Sequence, residues 1–150
     1  MDDTAKLKRA VKSVLASQKL AVLATHQKGQ PYTSLVAFAA TADLKNLLFA
    51  TIRATRKYAN VMADPRVALL ADTRTNRDAD FHSALAVTAT GRAGEVRGPA
   101  RARLLKVYIA KHPSLEEFVK SPDCALLRLR VNRYYVVSRF KNVIELRMAP

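Results

Sequence analysis

The feature that most limits the fold is a change of hydrophobic period at residue 19. Before it, Leu7, Val11, Val14 and Leu15 recur at helical spacing, with Lys6, Lys8, Arg9 and Lys12 on the other side. That pattern predicts an amphipathic helix of about three turns, its basic face open to solvent, a membrane or nucleic acid. After it, short apolar and β-branched runs alternate with turn residues. KLAVLATHQ (19–27) passes through KGQP into YTSLVAFAAT (32–41), and TADLKN leads into LLFAT (47–51). Three strands joined by tight turns make an antiparallel meander.

The rest of the chain keeps this grammar. A helix beginning near Thr55 runs to Asp64, where Pro65 stops it, and RVALLADT (66–73) resumes strand. RTNRDADFHS (74–83) is polar and aperiodic and reads as a loop. ALAVTATGRAGEVRG (84–98) is a long strand with Gly91 at a bulge or bend. Pro99 opens a helix whose apolar stripe is Leu104, Leu105, Tyr108 and Ile109. His112-Pro113 breaks it, and SLEEFVK makes a further short helix with Ser114 as N-cap and Glu117 at the capping-box position. CALLRLRVN alternates apolar with Arg128 and Arg130, and RYYVVSRF and VIELR follow as strands. The expected class is mainly β with a few helices (α+β), with six to eight mostly antiparallel strands in a small closed or half-closed barrel. No repeat, low-complexity tract or linker interrupts the 150 residues, so residues 1–150 read as a single domain.

Composition removes several function classes. No apolar run approaches the roughly 18–20 residues of a membrane span. The N-terminal stretch MDDTAKLKRAVKSV has no apolar h-region and is not read as a secretory signal. A lone cysteine, Cys124, excludes an intramolecular disulfide framework and fits a reducing cytosol, so a cytoplasmic protein is expected. Cys124, His26, His82 and His112 show neither metal-ligand spacing nor a nucleophile–base set, so no metal site and no catalytic side chain is singled out. The net charge of +14, from 26 basic and 12 acidic residues, suits nucleic acid, acidic membranes, phosphorylated small molecules or simple solubility. The charges are spread along the chain without a basic tail, which weighs against nucleic acid.

One stretch concentrates chemistry. In FATIRATRKYANV (49–61) a strand end at Thr51 meets Arg53, Thr55, Arg56 and Lys57 at the start of a helix. A helix N-terminus carries partial positive charge and unpaired N–H groups and ordinarily attracts Asp or Glu. Here it has cations and hydroxyls. A dianionic phosphate would use guanidinium, ammonium, hydroxyl and backbone N–H groups together; the alternative is that the long basic side chains point into water.

These strings resemble the pyridoxamine 5′-phosphate oxidase-like, FMN-binding split-barrel family. The resemblance runs over about residues 5–97, through PYTSLVAFA, LLFATIRATRKYANVMADPRVALL and AVTATGRAGEV. It implies that Thr51, Thr55, Arg56 and Lys57 grip the FMN phosphate, with Arg53 beside them. It also implies that the backbone of Thr33, Ser34, Leu35 and Val36 lies along the isoalloxazine edge. It implies a homodimer with the flavin at the subunit interface. Beyond the stretch that carries the resemblance, SRFKN supplies Arg139 and Phe140 as candidates to approach the partner's flavin. The family's Gln on the strand matching ALAVTATG is replaced near Ala86, and its Arg-x-His and flavin-flanking Trp have no counterpart. Those departures weigh against oxidation of vitamin B6 itself. The implied function is an FMN-dependent oxidoreductase acting on a small molecule, with NAD(P)H or oxygen as redox partner. A non-catalytic flavin-binding or redox-sensing protein and a basic nucleic-acid-binding barrel are the alternatives. A deazaflavin cofactor or haem could replace FMN, though no His has a haem-ligating context.

Outside that stretch, His82, Asn76 and Arg77 in the polar loop are candidate ligand contacts, with local hydrogen bonding the more ordinary role. Tyr134-Tyr135 places one ring on each face of a strand, for core or interface packing.

Overall fold

The computed structural model describes residues 3–150; Met1 and Asp2, the start of the N-terminal stretch read above, lie outside it. Helix α1 (Asp3–Ser17) leads into strands β1 (Leu20–Gln27), β2 (Gln30–Ala40) and β3 (Asn46–Ile52). Then come helix α2 (Arg56–Ala63), strand β4 (Arg66–Asp72), a one-turn helix α3 (Asp80–Ser83) and strand β5 (Leu85–Glu95). Helix α4 (Ala100–Lys111), a 3-10 turn (Pro113–Leu115), helix α5 (Glu116–Lys120) and strands β6 (Cys124–Ser138) and β7 (Asn142–Arg147) complete the chain.

The strands pair antiparallel in the order β3-β2-β1-β4-β5-β6-β7, and β3 pairs with β6 as well, which closes the first six into a barrel. The expected strand number and barrel are therefore found. The β1–β2 connection is a two-residue turn in which Lys28 (φ 54°) and Gly29 (φ 79°) are both left-handed, the geometry whose twist matches a hairpin. The fifteen-residue β6 is long enough to serve three neighbours. Its first half pairs with β3, its second half with β7, and β5 follows it from Leu127 to Ser138. The two runs read as separate strands from sequence are thus one strand, carried past Asn132 by a bulge. The β5–β6 register shifts at Thr90/Gly91, where Asn132 has no opposite residue. The Thr90 hydroxyl donates to the Asn132 side-chain carbonyl at 2.9 Å, and Met148 N–H donates to the Asn132 backbone carbonyl. Gly91 is required by close approach, because a Cβ there would collide with the Arg130 carbonyl.

Period-two alternation sorts the side chains into two cores. Leu23, Phe38, Phe49, Leu69, Val87, Leu127 and Tyr134 fill the barrel, with Val11, Val14 and Leu15 of α1 packed into the same cluster. On the outer face, Ala39, Leu48 and Leu126 are covered by Leu104 and Tyr108 of α4 and Val119 of α5. Tyr108 and Tyr134 donate their hydroxyls to the Ala37 and Leu44 carbonyls, which lets two phenols be buried without an unmet donor.

Two local expectations fail for identifiable reasons. The polar stretch 74–83 is not a plain loop: the Asp80 carboxylate accepts from the Thr75 and Asn76 N–H groups and the Thr75 hydroxyl, which folds the segment back and starts α3. Ser114 does not cap a helix; it lies inside the 3-10 turn, and α5 starts after Leu115 without a side-chain cap. Pro113 holds the preceding turn in the tighter helix and shifts the cap position by one residue, from Ser114 to Leu115.

Candidate cofactor site

Helix α2 begins where β3 ends, and the junction is built from hydroxyls. Thr51 is buried at the end of β3, and its Oγ1 lies 2.7 Å from the Thr55 Oγ1. Both hydroxyls also reach the Ile52 carbonyl, at 3.1 and 3.0 Å. Thr55 has the extended backbone of an N-cap and accepts from the Tyr58 N–H. Two hydroxyl protons thus serve three local contacts, an arrangement that an incoming oxyanion can re-use without unfolding the turn.

No acid occupies the first turn of α2; Arg56 and Lys57 stand there instead. The Arg56 guanidinium lies 5.7 Å over the Tyr32 ring, so it is oriented rather than free in solvent. Lys57 lines an open groove of about 270 Å³. Its walls include Leu35 and Val36 of β2, Thr51 of β3, Thr55 of α2 and Phe118 of α5, and none of its lining residues is acidic. One end therefore offers cations and hydroxyls, and the body is apolar, with Leu35 64% exposed and Phe118 and Ile52 also open.

The fold brings Leu35, Val36, Thr51, Thr55 and Lys57 into one groove, with Arg56 beside it. Thr33 and Ser34 lie on the same strand. Thr33 is exposed, and the Ser34 Oγ is buried without a hydrogen-bond partner, an orphaned polar atom next to the groove strand. Arg53 faces another way: it is held by Glu95 at 2.6 Å and by the Pro122 carbonyl at 2.7 Å. Glu95 also accepts from the Tyr58 hydroxyl at 2.8 Å, so Arg53 and Tyr58 tie the turn and α2 to the end of β5. Arg53, then Tyr58, hold the Glu95 carboxyl below its usual range.

Arg139 is not at this groove. It sits in the β6–β7 turn, where Arg139 (φ 50°) and Phe140 (φ 61°) are successive left-handed residues, a strained arrangement for non-glycine side chains. Phe140 packs on Phe81 with ring centroids 5.1 Å apart, at the mouth of a second cavity of about 430 Å³ floored by Leu70, Leu85 and Val137.

Sequence reasoning missed the far wall of the groove. Tyr108, Leu115 and Phe118 reach it from α4 and the segment after it; their apolar spacing announced only a buried face. Burial pushes the Tyr108 phenol up to about 12. None of the three histidines lines the groove. His26 pairs with Asp64 at 3.1 Å, His112 is buried against the Phe38 carbonyl at 2.7 Å, and His82 is exposed on α3. Among the described residues no group of His, Cys, Asp or Glu is arranged to hold a metal ion, and no helix is long and apolar enough to cross a membrane.

A six-stranded barrel whose β3–α2 junction presents hydroxyls and cations beside an apolar groove defines a split-barrel protein. Residues 7–138 match the family model described as pyridoxamine 5'-phosphate oxidase, and the chain belongs to that family. Solved structures share the fold. A heme binding protein from Mycobacterium smegmatis superposes with a TM-score of 0.83 at 18% identity, covering 98% of this chain and 59% of its own. The protein Atu2129 of unknown function from Agrobacterium tumefaciens gives 0.75 at 26% identity, covering 89% and 57%. A FAD-binding protein from Mesorhizobium loti gives 0.70 at 16% identity, covering 86% and 90%. The chain thus spans less than two thirds of the length of the first two. No curated protein matches the sequence.

Proposed function

We propose that this chain is an FMN-binding flavoprotein that acts as a homodimeric oxidoreductase on a small molecule. The observation that carries the reading is the β3–α2 junction: paired threonine hydroxyls, Arg56, Lys57 and free helix N–H groups at the end of an apolar groove. A phosphate monoester satisfies every one of those donors, and charge-assisted bonds of this kind are the strong ones. The apolar walls suit a flat ring system, and β2, which supplies Leu35 and Val36 to the groove, also carries the orphaned Ser34 hydroxyl. The residues present fit the group. Bound there, the flavin would supply hydride or single-electron chemistry; the chain would anchor its phosphate at Thr51, Thr55, Arg56 and Lys57 and lay its ring along Thr33–Val36.

The groove's about 270 Å³ falls at or below the small end of ligand pockets, about 300–1,000 Å³. One chain therefore makes only part of an enclosure for a tricyclic ring, which supports a second copy as the remaining wall. In that reading Arg139 and Phe140, on a strained turn beside the larger cavity, are contributed to the partner's flavin. NAD(P)H is the proposed electron donor.

Haem is the competing ligand, because proteins of this fold include a heme binding protein. The placement of His26, His82 and His112 away from the groove favours the flavin. The test is an absorbance titration of purified protein with FMN and, separately, with haem. Shifted flavin bands that saturate at micromolar FMN, and that vanish in an Arg56→Ala/Lys57→Ala variant, support the proposal. Saturation by haem with no response to FMN refutes it. Reduction of bound FMN by NADPH without turnover of any acceptor would move the reading to a flavin-binding or redox-sensing protein.

A further inference from the structure

The fold gathers arginines that are scattered in sequence. On the outer face of the barrel, Arg92 of β5 stands directly opposite Arg130 of β6, and Arg128 of β6 lies two residues along on the same face, opposite Gly94. Arg103 of α4 is close enough to act on Arg128: burial first, then Arg130 and Arg103, lower the Arg128 guanidinium's proton affinity. Arg66 of β4 extends the row, opposite Arg92.

Ion pairing divides the chain's arginines, and Arg56, Arg77, Arg101 and Arg139 share with these side chains the lack of a carboxylate within salt-bridge distance among the described residues. Arg53, Arg66, Arg74, Arg97, Arg133 and Arg147 each have a carboxylate within salt-bridge distance. Arg92, Arg103, Arg128 and Arg130 have none among the described residues. Like charges directly opposite on a sheet are destabilising, so the arrangement costs the free chain stability. Nothing in the barrel core requires it, because Arg92, Arg128 and Arg130 occupy outward strand positions and Arg103 stands on α4.

We infer that this four-arginine face is a docking surface for the phosphodiester backbone of nucleic acid. Side chains two apart on a strand are separated by about 6.8 Å and neighbouring strands by about 5 Å, which spaces the guanidiniums for successive phosphates rather than for one. Arg92 and Arg130 are exposed, Arg128 is half-buried, and none of the four lines either cavity described above. No aromatic side chain stands opposite Arg92, Arg128 or Arg130; their cross-strand partners are Asn46, Leu48, Arg66, Gly94 and one another, with Thr90 and Asn132 beyond. Base stacking is therefore absent from the recognition, and the contact reads backbone charge without sequence. Gly94 keeps the surface beside Arg128 low, since a Cβ there would meet nothing within 4 Å. The overall charge of +14 adds long-range attraction of the same sign. This inference is independent of the flavin reading, because it uses a different face.

The test is fluorescence anisotropy of a short labelled DNA duplex with the full chain, between about 50 and 200 mM salt. Four phosphate contacts predict a slope of log affinity against log salt of about −3.6. Arg103→Ala/Arg130→Ala should lower affinity about tenfold at the low-salt end and shrink the slope to about −1.8. Arg74→Ala/Arg147→Ala removes the same charge from paired positions and should leave both within about twofold. The fold of each variant is checked by circular dichroism, and Arg103→Gln/Arg130→Gln repeats the test with longer side chains retained. Equal losses in both pairs of variants would reduce the effect to net charge and overturn the proposal. So would absence of binding at the lowest salt, or displacement of the duplex by a poly-glutamate peptide at lower concentration than by unlabelled DNA.

Discussion

Helices α2 and α4 begin with the same charges and different surroundings. Neither has an acid in its first turn; α2 opens with Arg56 and Lys57, and α4 with Arg101 and Arg103. Both should lose a few tenths of a kcal/mol per exposed cation to the helix macrodipole. Yet α2 has a threonine cap whose hydroxyl meets a second threonine hydroxyl and faces a groove, while α4 starts at Pro99 without a side-chain cap and lines no groove with its first turn. Cations at a helix start are therefore not a ligand site by themselves. The hydroxyl pair and the apolar groove are what separate the proposed phosphate anchor from a basic surface.

The sharpest way to break that comparison is to remove both cation pairs in parallel. Arg56→Ala/Lys57→Ala deletes two charge-assisted bonds worth about 1.5–3 kcal/mol each, so FMN affinity should fall by at least about 100-fold by fluorescence quenching. Arg101→Ala/Arg103→Ala should leave FMN affinity within about twofold. An equal effect at α4 would mean that net charge, not the junction, holds the ligand.

Next in size is the cap. Thr55→Ala removes the acceptor for the Tyr58 N–H and should cost about 1 kcal/mol in urea unfolding of the ligand-free protein, besides weakening FMN. Pro99→Ala has no cap bond to lose and should cost less than that.

A charge reversal separates stability from binding. Lys57→Glu supplies the acid that the helix start lacks, so thermal unfolding without ligand should gain about 0.3–1 kcal/mol while FMN binding is lost. Arg101→Glu should give the same small gain with FMN binding intact. A Lys57→Glu protein that binds FMN normally would break the account of the α2 terminus.

The smallest effect belongs to the other end of α4. Lys111 donates to the Leu15 carbonyl and stands 3.9 Å over the Phe38 ring, and burial pulls its ammonium down to about 8. The unfolded chain binds that proton more tightly than the folded one, so this group's contribution rises as pH goes from about 8 to 10.5. Lys111 is only half-buried, so solvent screening shrinks the gain. Lys111→Met should flatten that part of the stability–pH curve.

Most of the barrel was legible because its information is local. Alternation over residues 19–51 and the turn residues Lys28-Gly29 name strands and hairpin without reference to the rest of the chain. The start of α2 was legible for the same reason: Thr55, Arg56 and Lys57 are a cap and a first turn. What escaped depends on residues far apart in sequence. Arg53 stands beside the phosphate motif in sequence, and its pairing with Glu95, 42 residues on, is visible only in the fold. Phe118 and Leu115 form a groove wall only because the segment after α4 packs back against β6. Ser114 failed as a cap because Pro113 set the geometry before it. The dispersed arginines looked like solvation until the β5–β6 register put Arg92 against Arg130.

The central claim is that the N-terminus of α2 holds a phosphate, and comparison of FMN with riboflavin tests it most directly. The two ligands share the ring system and differ in that group. Titration of the unmodified protein should show FMN binding at least about 100-fold tighter than riboflavin, with the gap closed in Arg56→Ala/Lys57→Ala. Equal affinity for both ligands in the unmodified protein would contradict the claim.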